Sequence, residues 1–197
     1  MSIRAFLAVD LDERSRRAAA RVAEALEGAE GVRFLRPESY HVTLRFLGNL
    51  ERERVAALAS GVAAVLSKAA PFSLRLGGVR LFPGPRRPRA LVLDLAPEAP
   101  LLDLAELVEA AVVQAGFPPE DRPFRPHLTL GRFLHRGPGA LAPVAPADAD
   151  LPVDRVVLFE SRLSRQGARY LPLERMALGG SVSPDHPTSK GEEHGKE

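Results

Sequence analysis

Residues 124–132 read FRPHLTLGR, and residues 39–47 read SYHVTLRFL. Both stretches contain His, an aliphatic residue, Thr and Leu in the same order, at 41–44 and again at 127–130. In a β-strand, side chains two residues apart point to the same face, so each histidine shares a face with its threonine. A single histidine in a strand is usually a hydrogen-bonded structural residue. Because the chain has only three threonines and five histidines, however, the repetition favours a shared functional site.

The apolar periodicity and the Gly and Pro breaks predict an α+β fold. Helices and strands follow one another in a mixed order, which favours mainly antiparallel sheets over a doubly wound parallel sheet. We predict one domain over residues 1–180 and a disordered polar tail over 181–197, and we predict residues 136–152 as an extended loop. The predicted strands are 3–9, 32–35, 40–47, 72–82, 90–95, 124–134, 155–163 and 169–178, and the predicted helices are 10–28, 51–69 and 101–115.

Composition excludes several classes of protein. The longest apolar runs, such as residues 90–95, are far shorter than the roughly 20 residues of a membrane span. The first residues turn acidic too early for a secretory signal, so we expect a cytoplasmic protein. The absence of cysteine excludes disulfides and thiol catalysis. Of the 27 basic residues, 24 are arginine; this suggests a coding bias at least as much as a polyanionic partner.

The repeated motif supports one kind of chemistry better than its rivals. Two histidines without a nearby Asp, Glu or Cys make an incomplete zinc site, and threonine is a poor ligand for such an ion. Neither motif contains the nucleophile and carboxylate of a serine-type triad, and no glycine fingerprint for dinucleotides is present. Two imidazoles can serve as general base and general acid, while threonine hydroxyls donate hydrogen bonds to phosphate oxygens. A strained cyclic phosphodiester could be opened by such a set without a metal or a cofactor.

The sequence resembles the two-histidine phosphoesterase superfamily, and in its details the RNA 2′,3′-cyclic phosphodiesterase branch, also called 2′-5′ RNA ligases. The matching stretches are RAFLAVDL, LRPESYHVTLRFLGNL, FRPHLTLGR and VVLFESRLSRQGARYLPLERMAL. This resemblance implies two pseudo-symmetric lobes of mainly antiparallel sheet, with helices outside and a central cleft between them. It implies that His41 and His127 are the catalytic acid–base pair, with His41 as acid and His127 as base. It also implies that phosphate is bound by Thr43, Thr129, Arg132 and Arg125.

The resemblance further implies an activity, the metal-independent hydrolysis of 2′,3′-cyclic phosphate at RNA 3′ ends to a 2′-phosphate. The expected substrate is RNA with a cyclic phosphate end or a small cyclic nucleotide, and the expected protein is a monomer that needs no cofactor and no membrane. Arg86, Arg87 and Arg89 lie in a predicted loop and are candidates for contact with an RNA backbone. Two alternatives stay open, namely 2′-5′ ligation of RNA or tRNA halves and RNA binding without turnover.

Overall fold

The structure is a computed structural model that describes residues 1–26, 28–29, 31–134, 143–164 and 167–179. Two short 3-10 helices, Pro37–Ser39 and Arg52–Arg54, precede the third strand and the second α-helix. Within the described residues the strands and α-helices are β1 (Ser2–Asp10), α1 (Glu13–Ala25), β2 (Val32–Phe34), β3 (His41–Glu51), α2 (Val55–Leu66), β4 (Phe72–Phe82), β5 (Ala90–Ala96), α3 (Ala99–Gln114), β6 (Leu128–Phe133), β7 (Ala149–Val153), β8 (Arg155–Ser164) and β9 (Gly167–Ala177).

The strands form two antiparallel sheets. The first has the order β3-β1-β8-β9, and the second has the order β2-β6-β5-β4-β7. All recorded strand pairs are antiparallel. The predicted α+β class with mainly antiparallel sheets is therefore confirmed.

The same structural unit occurs in each half of the chain. In the first half, β1 leads through α1 to β3, and β1 pairs with β3. In the second half, β5 leads through α3 to β6, and β5 pairs with β6. The strand that carries His-x-Thr is the last strand of each unit. Because β3 also contacts β6, the two motif strands lie next to each other where the sheets meet.

Each sheet has one face in a large common core. Alternate residues of β1, such as Leu7 and Val9, are buried there together with residues of all three α-helices. The opposite face of the first sheet carries a separate small cluster of Phe6, Ala8, Val157 and Phe159, against which Tyr170 packs. We call this surface, together with the face of the second sheet that is turned away from the common core, the site face, because the motif residues lie on these two faces.

Several predicted boundaries are wrong. Residues 149–152, predicted as the end of the 136–152 loop, belong to β7 at the edge of the second sheet, where Pro152 is tolerated because an edge strand needs fewer backbone donors. Residues 124–127 are not strand, because Pro126 has no N–H for a ladder. The predicted helix at 10–28 begins only at Glu13, after the Asp12 N-cap, whose side chain accepts from the Ser15 backbone N–H.

Other boundaries differ by a similar number of residues. α2 begins at Val55 rather than 51 and ends at Leu66, while β3 continues to Glu51 beyond the predicted end at 47. The tail predicted at 181–197 and residues 136–142 of the predicted loop lie outside the described residues.

Candidate active site

His41 opens β3 and lies on the aromatic site face of the first sheet. Its ring centroid is 4.8 Å from that of Phe6 and 4.9 Å from that of Tyr170, which meets it edge-on. Phe159 lies slightly farther away, at 6.3 Å. In the strand register His41 is paired with Asp10 of β1. His41 is thus half-buried in an apolar wall with one carboxylate nearby.

His127 lies immediately before β6 and is also half-buried. Its ring stacks on Phe82, the last residue of β4, with centroids 4.2 Å apart and an angle of 18° between the planes. The guanidinium of Arg125 lies 5.1 Å from the centre of the same phenyl ring. This histidine therefore has an aromatic support and a cationic neighbour.

Each imidazole is held by a hydrogen bond of the same kind, from its Nδ1 to a main-chain carbonyl. His41 Nδ1 lies 2.7 Å from the carbonyl oxygen of Ser39, and His127 Nδ1 lies 2.6 Å from that of Arg125. A carbonyl oxygen only accepts, so Nδ1 carries the proton and donates in both cases. The neutral rings therefore leave Nε2 unprotonated and available as a proton acceptor.

Burial lowers the pKa of both histidines. It lowers the pKa of His41 to about 4, opposed by the hydrogen bond to Ser39 and by the charge of Asp10. The pKa of His127 is also lowered, mainly by burial and further by Arg80, Arg132 and Arg125. The positive charges of Arg132 and of His127 itself also lower the pKa of His41. The two imidazoles and Arg132 are therefore close enough to interact electrostatically.

The motif threonines share the site face with their histidines, as the strand period predicts. Val42 and Leu128 are completely buried in the common core, whereas Thr43 and Thr129 are half-buried. Thr43 is paired with Ala8 of the site-face cluster, and Thr129 is paired with Val92, which lies outside the common core. The structure therefore brings both hydroxyls to the side where the imidazoles lie.

A β-bulge follows each motif and places one more residue on the site face. In β3 the register skips Leu44, so that Phe46 pairs with Phe6. In β6 it skips Leu130, so that Arg132 pairs with Ala90. A bulge inserts one extra residue, and the third residue after each threonine therefore returns to the threonine's face. Arg132 thus points to the site, although a regular strand would turn it away.

The sequence prediction missed the aromatic half of the site. Phe46 occupies the position in the first motif that Arg132 occupies in the second, and its side chain is 58% exposed. Extending the alignment by two residues, HVTLRF against HLTLGR, would have paired them. Phe6, Phe82 and Tyr170 had no comparable signal, because each belongs to a strand that is distant in sequence from either motif.

Among the described residues, no group of three His, Asp or Glu side chains is placed to hold a metal ion. The adjoining strands β3 and β6 instead carry two imidazoles, two hydroxyls and Arg132 on the faces turned away from the common core. This combination is suited to proton transfer and to binding an anion.

Comparison with known families agrees with this internal repeat. The family model described as LigT like Phosphoesterase matches the chain twice in succession, at residues 9–92 and at 93–170. Each match contains one His-x-Thr motif. The chain belongs to the LigT-like phosphoesterase family. The two matched segments correspond to the two halves of the chain that carry the repeated strand–helix–strand unit. The repeat of the His-x-Thr motif therefore follows the repeat of the family model.

Curated relatives in this LigT-like family carry one name. A Methanothermobacter thermautotrophicus protein named RNA 2′,3′-cyclic phosphodiesterase is 33% identical over 187 residues, which cover 90% of this chain and 100% of the relative. A Bacillus subtilis protein of the same name is 33% identical over 148 residues, 74% of this chain and 80% of the relative.

Solved structures show the same fold. A crystal structure of a Thermus thermophilus protein matches with a TM-score of 0.80 and 31% identity, covering 91% of this chain and 100% of that one. Escherichia coli LigT in complex with 3′-AMP matches with a TM-score of 0.77 and 27% identity, covering 90% of this chain and 99% of that one. The predicted family resemblance is thereby confirmed. In the described part of this chain, no helix combines the length and the apolar character of a membrane span.

Proposed function

We propose that this protein is an RNA 2′,3′-cyclic phosphodiesterase, a hydrolase that opens the cyclic phosphate at RNA 3′ ends by metal-independent histidine acid–base catalysis. The observation that carries the proposal is the matched pair of imidazoles, each with Nδ1 fixed by a backbone carbonyl and Nε2 available. The names of the curated relatives support the reaction class.

The reaction adds water across one phosphorus–oxygen bond. The unprotonated Nε2 of one histidine takes a proton from water as its oxygen bonds to phosphorus. The bond from phosphorus to the 3′ oxygen breaks, and the protonated Nε2 of the other histidine gives its proton to that oxygen, leaving a 2′-phosphate. Thr43, Thr129 and Arg132 would hold the non-bridging oxygens, on which negative charge increases in the transition state.

Charges near the two rings favour His41 as the acid and His127 as the base. Asp10 raises the pKa of His41 while Arg132 and His127 lower it, and three arginines, Arg80, Arg132 and Arg125, lower the pKa of His127. Burial opposes this assignment, because it keeps His41 neutral at pH 7 in the free protein. The negative phosphodiester raises the pKa of both imidazoles when it binds and so opposes the effect of burial, and the carboxylate of Asp10, which raises the pKa of His41, then favours His41 as the acid. His41 then takes up its proton when the substrate binds.

The decisive experiment uses an RNA that ends in 2′,3′-cyclic phosphate. The protein is incubated with it in parallel samples with and without EDTA, and the isomer of the product is identified. We expect equal turnover in both samples and a 2′-phosphate product. Activity that is lost with EDTA and restored by a divalent ion would exclude the metal-independent mechanism, and a 3′-phosphate product would exclude the 3′ oxygen as leaving group.

The double variant H41A/H127A serves as the control for contaminating nuclease. Turnover that persists in this variant would show that the observed activity does not come from the two-histidine site. Joining of two RNA pieces in place of hydrolysis would identify ligation as the activity.

A further inference from the structure

Positive charge is segregated around the His127 side of the site. Three segments, 31–37, 79–93 and 122–134, contain no Asp or Glu, although the whole chain has 25 acidic residues against 27 basic ones. We call the arginines of these segments the arginine surface. Its members are Arg33, Arg36, Arg80, Arg86, Arg87, Arg89, Arg122, Arg125 and Arg132.

The fold makes these separate segments neighbours. β2 pairs with β6, and β6 pairs with β5, so Arg33 lies directly opposite Arg132 in the register. The loop 83–89 joins β4 to β5 and is tied down at its end, where the Arg89 N–H donates to the carbonyl of Phe82 at 2.7 Å. The Arg89 carbonyl in turn accepts from the N–H of Phe133 at 3.0 Å. The loop base is therefore attached to the strand that follows His127.

Most charges of the arginine surface are uncompensated. Elsewhere some exposed arginines pair with carboxylates, as Arg17 does with Glu13 and Arg75 with Asp148, whereas others, such as Arg14 and Arg21, have no carboxylate within 4 Å among the described residues, so it is the clustering of unpaired arginines that distinguishes this surface. Within the arginine surface, the described residues provide a carboxylate within 4 Å only for Arg80 and Arg122. A cluster of unpaired guanidinium groups produces a positive field that attracts polyanions and speeds their association.

The arginine surface extends from the active site to the exposed loop 83–89. Arg132 is close enough to lower the pKa of both histidines. Phe82, which stacks on His127, is the last residue before the loop 83–89, and the arginines of that loop are all exposed. A phosphate chain that has its terminal phosphate between the histidines would therefore meet further guanidinium groups on its way out.

We propose that the arginine surface binds the RNA chain preceding the cyclic phosphate, so that an RNA strand is a better substrate than a free cyclic mononucleotide. The inference rests on the proposed function. Guanidinium groups bind phosphate oxygens through paired hydrogen bonds, and the regular spacing of backbone phosphates suits a row of them. These contacts read no base, so binding is independent of sequence and sensitive to salt.

The test compares two substrates and one ligand. The substrates are 2′,3′-cyclic AMP and an unstructured RNA of about ten nucleotides with a cyclic phosphate end, a length typical of single-strand sites. The ligand is the same RNA with a terminal 2′-phosphate and a fluorescent label, whose Kd is measured by anisotropy at several salt concentrations. The binding measurement needs no turnover, so it tests the surface even if the proposed activity is absent.

The informative variant replaces the three loop arginines together, R86Q/R87Q/R89Q. We expect unchanged kcat/KM on 2′,3′-cyclic AMP and a loss of about tenfold or more on the RNA. Three phosphate contacts to a single strand contribute about −2 to the slope of log K against log salt. A fourfold rise in salt should therefore weaken RNA binding about 20-fold more in the wild type than in the variant.

The matched control removes the same charge from another surface. Arg14, Arg17 and Arg21 are exposed on α1, whose opposite side packs into the common core. R14Q/R17Q/R21Q should keep the salt slope and the RNA preference of the wild type. Equal losses in the control and in the loop variant would reduce the effect to net charge and overturn the proposal.

Other outcomes also decide the question. Equal wild-type kcat/KM on the mononucleotide and on the RNA, or an unchanged salt slope in the loop variant, would overturn the RNA-binding role while leaving the phosphodiesterase in place. Absence of turnover on both substrates, with salt-sensitive RNA binding intact, would instead reject the proposed function and keep the arginine surface.

Discussion

At the scale of single residues, the site depends on two imidazoles whose tautomer is set by main-chain carbonyls. Ser39 and Arg125 supply those carbonyls, each two residues before its histidine. Because the acceptor is main chain, substitution of the Ser39 or Arg125 side chain leaves the hydrogen bond available. The histidines and threonines are therefore the side chains whose removal tests the mechanism directly.

The first prediction concerns these four side chains. H41A and H127A should each lower kcat/KM by about 10² to 10⁴-fold, because each removes a proton-transfer group. T43A and T129A should cost less, roughly 10 to 10³-fold, because each removes one hydrogen bond to phosphate. H186A and T188A, in the segment outside the described residues, are the controls. Wild-type activity in either H41A or H127A would refute the two-histidine mechanism.

The second prediction concerns pH. Burial lowers the pKa of both histidines in the free protein, and kcat/KM reports the free enzyme. The apparent pKa values of both limbs of the kcat/KM profile should therefore lie below the ordinary histidine pKa of about 6.5. The bound phosphodiester raises both pKa values, so the kcat profile should lie at higher pH than the kcat/KM profile. Coincident profiles, measured on one RNA substrate, would show that the substrate charge does not act on the imidazoles.

At this scale the sequence singled out the histidines and threonines, whose catalytic roles stay predictions, but not the aromatic residues that lie beside them. The period of two in a strand is enough to place Thr43 beside His41, since no other geometry intervenes between them. It fails three residues later, because the bulges at Leu44 and Leu130 reverse the faces. Arg132 was expected from family resemblance, whereas its counterpart Phe46 was overlooked.

At the scale of elements, the fifth position of the repeat shows how one motif adapts to two surroundings. In β6 this residue is Gly131, and β2 lies directly beside it. In β3, which is an edge strand, the same position is Arg45, a buried arginine whose guanidinium bonds to the Glu109 side chain of α3. The glycine is explained by the neighbouring strand rather than by the motif's chemistry.

The third prediction follows from that close approach. A Cβ at Gly131 would lie 2.8 Å from Val32 Cγ1 and 3.2 Å from the Cα of Phe34. G131A should therefore lower the free energy of unfolding by about 1–3 kcal/mol, the usual cost of overpacking. It should also raise KM, because the bulge that aims Arg132 is displaced.

The same substitution elsewhere provides the control. Gly61 lies in the interior of α2, and a Cβ there would meet no atom within 4 Å. G61A should stabilise the protein by about 0.5–1 kcal/mol, because alanine favours the helix. Denaturant melts of both variants measure the two effects. A G131A variant as stable as the wild type would contradict the packing of β2 against β6.

The types of the elements were predicted well where one physical signal dominated. The helices and the hairpin of β8 and β9 follow the apolar period and the breaks at glycine and proline. β7 was missed because its sequence, ADLPV, contains a proline that normally argues against a strand. Only the sheet order, which places β7 at an edge, makes that proline acceptable, and sheet order is a property of the whole chain.

At the scale of the whole molecule, the two halves are joined by elements that cross between them. β2 belongs to the first half in sequence but extends the sheet of the second half. Arg45 of β3 bonds to Glu109 of α3 and to the carbonyl of Pro118, in the segment that leads to His127. Such crossings hold one histidine in position relative to the other. The sequence repeat predicts two similar halves but not these connections.

The last prediction tests the connection through Arg45, which is only 9% exposed and also lies 3.4 Å from Glu120. R45M keeps the apolar stem but leaves two carboxylates and two carbonyls, those of Phe46 and Pro118, without their cation. Loss of one partner of a fully buried pair costs about 3–5 kcal/mol; Glu109 and Glu120 are about one-third exposed and can regain water, so we expect about 1–3 kcal/mol.

Thermal melts compare R45M with R75M, whose exposed pair with Asp148 should matter little for stability. A loss of about 1–3 kcal/mol corresponds to several degrees in Tm for a chain of this length. Below its melting point, R45M should also have a lower kcat, because the segment after Pro118 that leads to His127 has lost its anchor on β3. Equal Tm values for the two variants would show that the halves are held together without Arg45. A lower Tm with an unchanged kcat would show that Arg45 stabilises the fold but does not position His127.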